Sequence, residues 1–269
     1  MTKIAGKVIW LTGASTGIGE ALAYELARHK VKLILSARRK EELERVKGNC
    51  HPLAQPDIKL LPFDLAETST LKLIAEAGTH LFGHVDILIN NGGISQRSLA
   101  KDTIVDVDRR IMEVDYFGTV ALTKYLMPHF ISRQVGHIVT VSSVMGLIGT
   151  PFRSGYAGAK HALHGFFDSL RAELWKESRH IKVTMICPGW VRTNISLNSL
   201  IGDGSKLQQM DSATGDGLDP RVVAKKIIKA IEGNKREVYI GGLKEVSAVY
   251  LHRYLPGLFA RIVRTAKVR

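Results

Sequence analysis

Seven short apolar runs, each of strand length, recur along the chain with longer amphipathic stretches between them. They are Val8-Ile9-Trp10-Leu11, Leu33-Ile34-Leu35, Lys59-Leu60-Leu61-Pro62-Phe63, Asp86-Ile87-Leu88-Ile89-Asn90, His137-Ile138-Val139-Thr140-Val141, Lys182-Val183-Thr184-Met185-Ile186 and Val238-Tyr239-Ile240. An antiparallel strand with one wet face alternates apolar and polar residues. Continuous β-branched runs instead fit strands covered on both faces, hence a parallel sheet. Segments such as 19–30 and 159–176 carry helical periodicity. Repeated strand–helix units predict an α/β fold: a doubly wound, Rossmann-type parallel sheet of seven strands flanked by helices, in a single domain over 1–269.

The first strand runs directly into Thr12-Gly13-Ala14-Ser15-Thr16-Gly17-Ile18-Gly19. Gly13 permits a tight turn, Gly17 lets backbone approach a pyrophosphate, and Gly19 allows close helix–strand packing. A helix opening there points unpaired N–H groups at phosphate. Gly13, Ser15, Thr16, Gly17, Ile18 and Gly19 are therefore candidate cofactor-binding residues. The second strand ends Ser36-Ala37-Arg38-Arg39. A carboxylate at that end would bind both ribose hydroxyls of NAD. Guanidinium groups suit a 2′-phosphate instead, so the expected cofactor is NADP(H), with Arg38 the leading contact and Arg39 either a second contact or solvated.

Ser143 closes the fifth strand run, and Tyr156 and Lys160 lie four residues apart in a segment with helical periodicity, which puts them on one face. A phenol with a reference pKa of about 10 is a poor acid–base catalyst at neutral pH. A neighbouring ammonium and the positive nicotinamide ring would both favour phenolate. Ser143 could then hold a substrate oxygen while Tyr156 exchanges the proton.

With these motifs the sequence resembles the short-chain dehydrogenase/reductase superfamily over essentially its whole length. TGxxxGxG at 12–19, NNGG at 90–93, a serine thirteen residues before YxxxK, and PGWVRT at 188–193 follow in order. The stretches VDYFGTVALTKYLMPHF, TPFRSGYAGAKHALHGFFDSLRAEL, DGSKLQQMD and AVYLHRYLPGLFARIV resemble a member-7-like subgroup of animal reductases. Those relatives are typically membrane-associated, with proposed steroid, retinoid or lipid carbonyl substrates. Their N-terminal anchor has no counterpart in the segment that opens this sequence, so anchoring is not expected here. The resemblance implies Ser143, Tyr156 and Lys160 as the catalytic group. It implies that Asp64, beside Leu65, contacts adenine, that Asn90 and the Gly92 backbone follow the adenosine ribose, and that Lys160 also binds the nicotinamide ribose. Pro188, Gly189, Val191 and Thr193 would flank the nicotinamide. It further implies a homodimer or homotetramer through the helices after the fourth and fifth strands.

The chain departs from the family at Asp115, where asparagine is usual. In the family that residue helps hold a water behind the lysine, largely through its backbone carbonyl. A carboxylate there would stabilise the Lys160 ammonium and shift the pH profile, so Asp115 joins the catalytic candidates.

Three regions carry secondary readings. Residues 194–219 are polar and glycine-rich, and lie just after the sixth strand, where doubly wound sheets bind ligands. They read as a substrate lid, with Leu197, Leu200, Ile201, Leu207 and Met210 suggesting an apolar substrate or merely packing the lid down. Residues 245–269 combine Leu258, Phe259, Ile262 and Val263 at helical spacing with Arg261, Arg264, Lys267 and Arg269. That pattern fits either a helix on an anionic membrane or one packed beside the substrate pocket. His161 and His164 stand three apart, and read as surface or packing residues. Cys187 reads as a small buried hydrophobe, because no histidine or cation adjoins it in sequence.

The net charge of +13 favours polyanions without naming one. No zinc-finger or aromatic–basic RNA motif accompanies it, so specific nucleic-acid binding is not expected. No window nears the roughly 20 apolar residues a bilayer crossing needs. The opening residues lack a signal-peptide layout. Two cysteines without a CxxC or Cys/His cluster argue against a disulfide framework or a zinc site. The expectation is a cytoplasmic oxidoreductase that interconverts a carbonyl and a secondary alcohol on an apolar small molecule. The competing readings are a non-catalytic NADP(H)-binding scaffold or redox sensor, and a protein that binds membrane or nucleic acid through its charge.

Overall fold

The computed structural model describes residues 3–209 and 215–265. Met210, Lys267 and Arg269 lie outside them. Seven strands form one parallel sheet: β1 (Val8–Thr12), β2 (Lys32–Ser36), β3 (Ile58–Leu60), β4 (Ile87–Asn90), β5 (Gly136–Val141), β6 (Ile181–Pro188) and β7 (Glu237–Ile240). Their order is β3-β2-β1-β4-β5-β6-β7. The chain winds outward from β1 in one direction, then returns to β4 and winds in the other. The doubly wound Rossmann-type single domain expected from the strand runs is the fold observed. The third run is shorter than its apolar length suggested, ending at Leu60, two residues before Pro62, which has no N–H to give a ladder.

The helices are α1 (Gly17–Leu26), α2 (Lys40–Asn49), α3 (Leu71–Leu81), α4 (Val105–Ile111), α5 (Thr119–Arg133), α6 (Ser154–Glu177), α7 (Pro220–Glu232), α8 (Leu243–Tyr254) and α9 (Pro256–Thr265). They cover the sheet on both sides. One core cluster joins Ile9, Leu11, Leu33 and Leu35 to α1 and α7. Another joins Trp10, Ile34, Leu88 and Ile138 to α3, α5 and α6. Alternate residues of each strand enter opposite clusters, which is why the runs are apolar throughout.

Between α4 and α5 the backbone widens into a π-helical turn, Met112–Gly118. Such turns are rare and often mark functional sites. This one holds Asp115 at 0% exposure. Among the described residues no helix is long and apolar enough to cross a membrane.

Candidate active site

The site is built on the reversal of strand order between β1 and β4, where the two halves of the sheet leave a crevice at their carboxyl ends. Gly13 turns the chain out of β1 at φ +64°, a conformation that disfavours any side chain. A Cβ there would sit 2.7 Å from the Gly92 Cα. Asn91 closes the crossing, its Nδ2 donating to the carbonyls of Thr12 at 3.1 Å and Gly13 at 3.2 Å. The Thr12 hydroxyl accepts from the N–H groups of Asn91 and Gly92, each at 3.0 Å. Gly17 then opens α1 at φ +60°. This bare backbone cradle, with a helix N-terminus behind it, fits a pyrophosphate.

A cleft of about 570 Å³ runs from that cradle across the strand ends. Gly13, Ser15, Thr16, Gly17 and Ile18 line one end, Arg38 and Arg39 stand exposed at its edge, and Asp64, Leu65 and Gly92 form its wall. Ser143, Tyr156, Lys160 and Asp115 line its middle, followed by Pro188, Gly189, Val191 and Thr193. Residues far apart in sequence, from Thr12 to Lys206, thus share one cavity.

Two of the expected contact residues do not line the cleft. Asn90 does not line the cleft. It is the last residue of β4, and its side chain is buried, donating to Thr123 at 2.9 Å and Thr140 at 3.4 Å. Asn91, which the motif reading passed over, lines the cleft in its place. Gly19 also lies outside the cleft and serves packing, because a Cβ on it would collide with the Gly13 carbonyl and the Asn91 amide.

Ser143 follows β5 and is held by two bonds. Its hydroxyl donates to the Pro188 carbonyl at 3.3 Å and accepts from the Met145 N–H at 3.1 Å. Tyr156 and Lys160 sit one turn apart near the start of α6, so their side chains share a face. The Lys160 Nζ lies 5.5 Å from the centre of the Tyr156 ring. On its other side Nζ is 3.1 Å from Asp115 Oδ2, an ion pair whose side chains are 5% and 0% exposed. Asp115 Oδ1 accepts the Ile94 N–H at 2.7 Å. Burial works against the Lys160 ammonium, but the Asp115 carboxylate and Tyr156 outweigh it and hold its pKa above the usual lysine range. Burial raises the Asp115 carboxyl, with Lys160 and the Ile94 N–H pulling the other way. We read the pair as ionised, since each charge is the other's nearest compensation.

The 194–219 segment is irregular where described and is tied down by backbone bonds. The Leu200 N–H donates to the Ser95 carbonyl and the Arg97 N–H to the Leu200 carbonyl, both at 2.8 Å. The part of it facing the cleft is Asn194, Ile195, Asn198 and Lys206. Leu197, Leu200, Ile201 and Leu207 do not face it, and Leu200 packs instead on Val107, Ile111 and Ala159. Their apolar character therefore says nothing direct about a substrate.

A second cavity, about 360 Å³, lies beside the first. Val144, Met145 and Trp190 line both. Its far wall comes from α8 and α9 through Ala248, Leu251, Phe259 and Val263. Phe259 and Val249 are buried against Val144, Met145 and Ile148. The C-terminal helices thus pack against the wall of this second cavity. Tyr254, Leu255, Leu258 and Ile262 remain substantially exposed.

Cys187 has a neighbour that the sequence hides. Its Sγ lies 3.7 Å from His164 Nε2, brought from α6 across the face of β6.

The model of the short chain dehydrogenase family matches residues 7–200. The human protein "Dehydrogenase/reductase SDR family member 7" is 43% identical over 257 residues, covering 94% of this chain and 76% of its own length. A short-chain dehydrogenase/reductase from Burkholderia phymatum, solved in complex with NAD, superimposes with TM-score 0.84 at 22% identity over 96% of both chains. One from Burkholderia cenocepacia, solved in complex with NADP, gives 0.78 at 24% identity over 97% of this chain and 99% of that one.

Proposed function

The chain belongs to the short-chain dehydrogenase family, whose members are oxidoreductases, and from that premise we propose that it is an NADP(H)-dependent enzyme interconverting a carbonyl and a secondary alcohol on an apolar small molecule. The carrying observation is that Ser143, Tyr156 and Lys160 line one cleft with the glycine turn. When bound, the cofactor supplies or accepts hydride at its nicotinamide ring.

The chain's own residues do the rest. The 13–18 backbone would hold pyrophosphate by N–H groups and the α1 dipole. Pro188, Gly189, Val191 and Thr193 would hold the cofactor's nicotinamide end from the β6 side. The Ser143 hydroxyl, freed from the Pro188 carbonyl, donates to the substrate oxygen. The Tyr156 hydroxyl gives that oxygen its proton in reduction and takes it back in oxidation. Lys160 keeps a positive charge beside the phenol, and Asp115 keeps Lys160 charged.

NADP over NAD is supported by Arg38 and Arg39 at the β2 end of the cleft, where the run Ser36-Ala37-Arg38-Arg39 offers no carboxylate. An apolar substrate is supported by the second cavity behind Met145 and Trp190, whose walls are mostly aliphatic and aromatic. Assembly as a homodimer or homotetramer is supported by exposed Tyr125 on α5 and Trp175 on α6. Peripheral contact with anionic membrane is supported by exposed Tyr254, Leu255 and Leu258 near Arg253, Arg261 and Arg264.

The test is a panel of aldehydes, ketones and alcohols of rising chain length, followed by the absorbance of reduced nicotinamide with NADPH and NADH in parallel. Tyr156→Phe should cut turnover by about 10²- to 10⁴-fold while NADPH still binds. Undiminished turnover in that variant would refute the mechanism.

A further inference from the structure

Three elements that do not adjoin in sequence bring a thiol, an imidazole and a carboxylate to one point beneath the cleft. β6 and β7 pair so that Met185 faces Glu237 and Cys187 faces Tyr239. Side chains two apart on a strand share a face, so Cys187 and Glu237 point the same way on neighbouring strands. α6 lies across that face and sets His164 between them. Its Nε2 is 3.7 Å from Cys187 Sγ and its Nδ1 is 3.9 Å from Glu237 Oε2. One donor atom from each of the three residues lies within 4.8 Å of the others, the one such convergence among the described residues.

We propose that His164, Cys187 and Glu237 form a site for a borderline-soft divalent cation of the zinc class, clamping α6 to β6 and β7. Sulfur, nitrogen and oxygen donors together match that class. Tetrahedral coordination at ordinary zinc bond lengths sets sulfur and nitrogen about 3.5 Å apart. The Cys187–His164 spacing of 3.7 Å is already close to it. Glu237 must move the most, since it now faces the opposite ring nitrogen. It can, because its side chain is 25% exposed and flexible, and that exposure also gives the ion and one water a way in.

The charges close. A divalent ion, one thiolate, one neutral imidazole and one carboxylate sum to zero, the cheapest state in a buried setting. Burial pushes the Cys187 thiol well above its ordinary range, with Glu237 and Asp168 adding to the effect. Burial holds His164 below the usual imidazole range against the pull of Glu237 and Asp168, with His161 and Arg171 also lowering it. Binding a cation there must expel the thiol proton into solvent. The Tyr239 hydroxyl hydrogen-bonds Glu237, supplying the outer support that ligating carboxylates use.

The experiment uses the full chain, stripped with chelator and dialysed against buffered Zn²⁺, then Co²⁺. The expected result is about one equivalent retained, a thiolate-to-cobalt charge-transfer band, one proton released per ion and a raised Tm. Cys187→Ser should lose the band and the retained ion. Glu237→Gln, at a partly exposed position, should weaken retention at least tenfold. Failure of the wild-type chain to hold metal, a cobalt spectrum with no thiolate band, or equal retention by Cys187→Ser would each overturn the site. None of these readouts depends on turnover, so they stand apart from the oxidoreductase reading.

Discussion

Two buried aspartates sit at opposite ends of the same sheet and do different work. Asp86, just before β4 at its amino end, is 6% exposed, and Asp115, beside the carboxyl ends, is 0% exposed. Asp86 accepts the Val8 N–H and an Arg133 N–H, each at 3.0 Å, with His84 at 3.2 Å and Lys7 at 4.0 Å. Burial alone would raise its pKa, but those partners outweigh it and hold the carboxyl below the usual range. Asp115 has one backbone donor and one buried ammonium, and burial carries its pKa upward. Asp86 lines neither cavity, whereas Asp115 lines the cleft. A fully partnered charge holds strands and helix together. An under-partnered one, set on a π-helical turn against the cleft, is available to tune a reacting group.

The largest way to break that contrast is Asp86→Ala. It strands the Val8 N–H in the core and removes one of the two acceptors of Arg133, leaving only the Val85 carbonyl. A loss of about 2–4 kcal/mol in unfolding free energy is expected, discounted because Arg133 and Lys7 are partly exposed. The turnover of the folded fraction should not change. The sign with pH follows from the depressed pKa. The stabilisation is present above the unfolded aspartate value of about 3.9 and is lost as pH falls through the lower folded value. Urea melts of both chains at several pH values check it. A gap that persists below that window would mean that packing, not charge, separates them.

Asp86 also illustrates what sequence can carry. Its run was visible because β4 is buried on both faces and must be apolar throughout. The same logic found every strand. The cleft residues were visible because a parallel sheet puts all its loops of one end at one place, so motifs far apart in sequence had to meet. What escaped depended on facing. Whether Asn90 or Asn91 looks into the cleft depends on where β4 ends, and one residue flips the side. Leu200 of the 194–219 segment is apolar for the sake of Val107 and Ile111, a surface no periodicity reveals. Cys187 and His164 meet only because α6 crosses β6 at that point, and no spacing rule encodes a helix's crossing position.

A second perturbation sharpens the contrast at the carboxyl end alone. Arg38→Ala removes an exposed guanidinium from the cleft edge while leaving the core untouched. NADPH affinity should fall about 10- to 100-fold, as expected for losing a charge-assisted bond to phosphate, with NADH affinity and melting temperature nearly unchanged. Isothermal titration with both cofactors decides it. An equal fall for the two would remove Arg38 from 2′-phosphate recognition.

The smallest expected effect is the most telling, since it separates a tuning charge from a structural one. Asp115→Asn keeps an acceptor for the Ile94 N–H and deletes the carboxylate 3.1 Å from Lys160 Nζ. The Lys160 pKa is raised in the wild type by Asp115 and Tyr156 against burial. In the variant one of those supports is gone, so the ammonium is lost at lower pH. The alkaline limb of the pH–rate curve should move down by on the order of one unit, while the plateau rate near neutrality changes little. Reduction measured across the pH range with saturating NADPH reads the limb directly. Superimposed curves would mean that the carboxylate does not act on the reacting phenol through Lys160. Asp115 would then differ from Asp86 only in where it is buried.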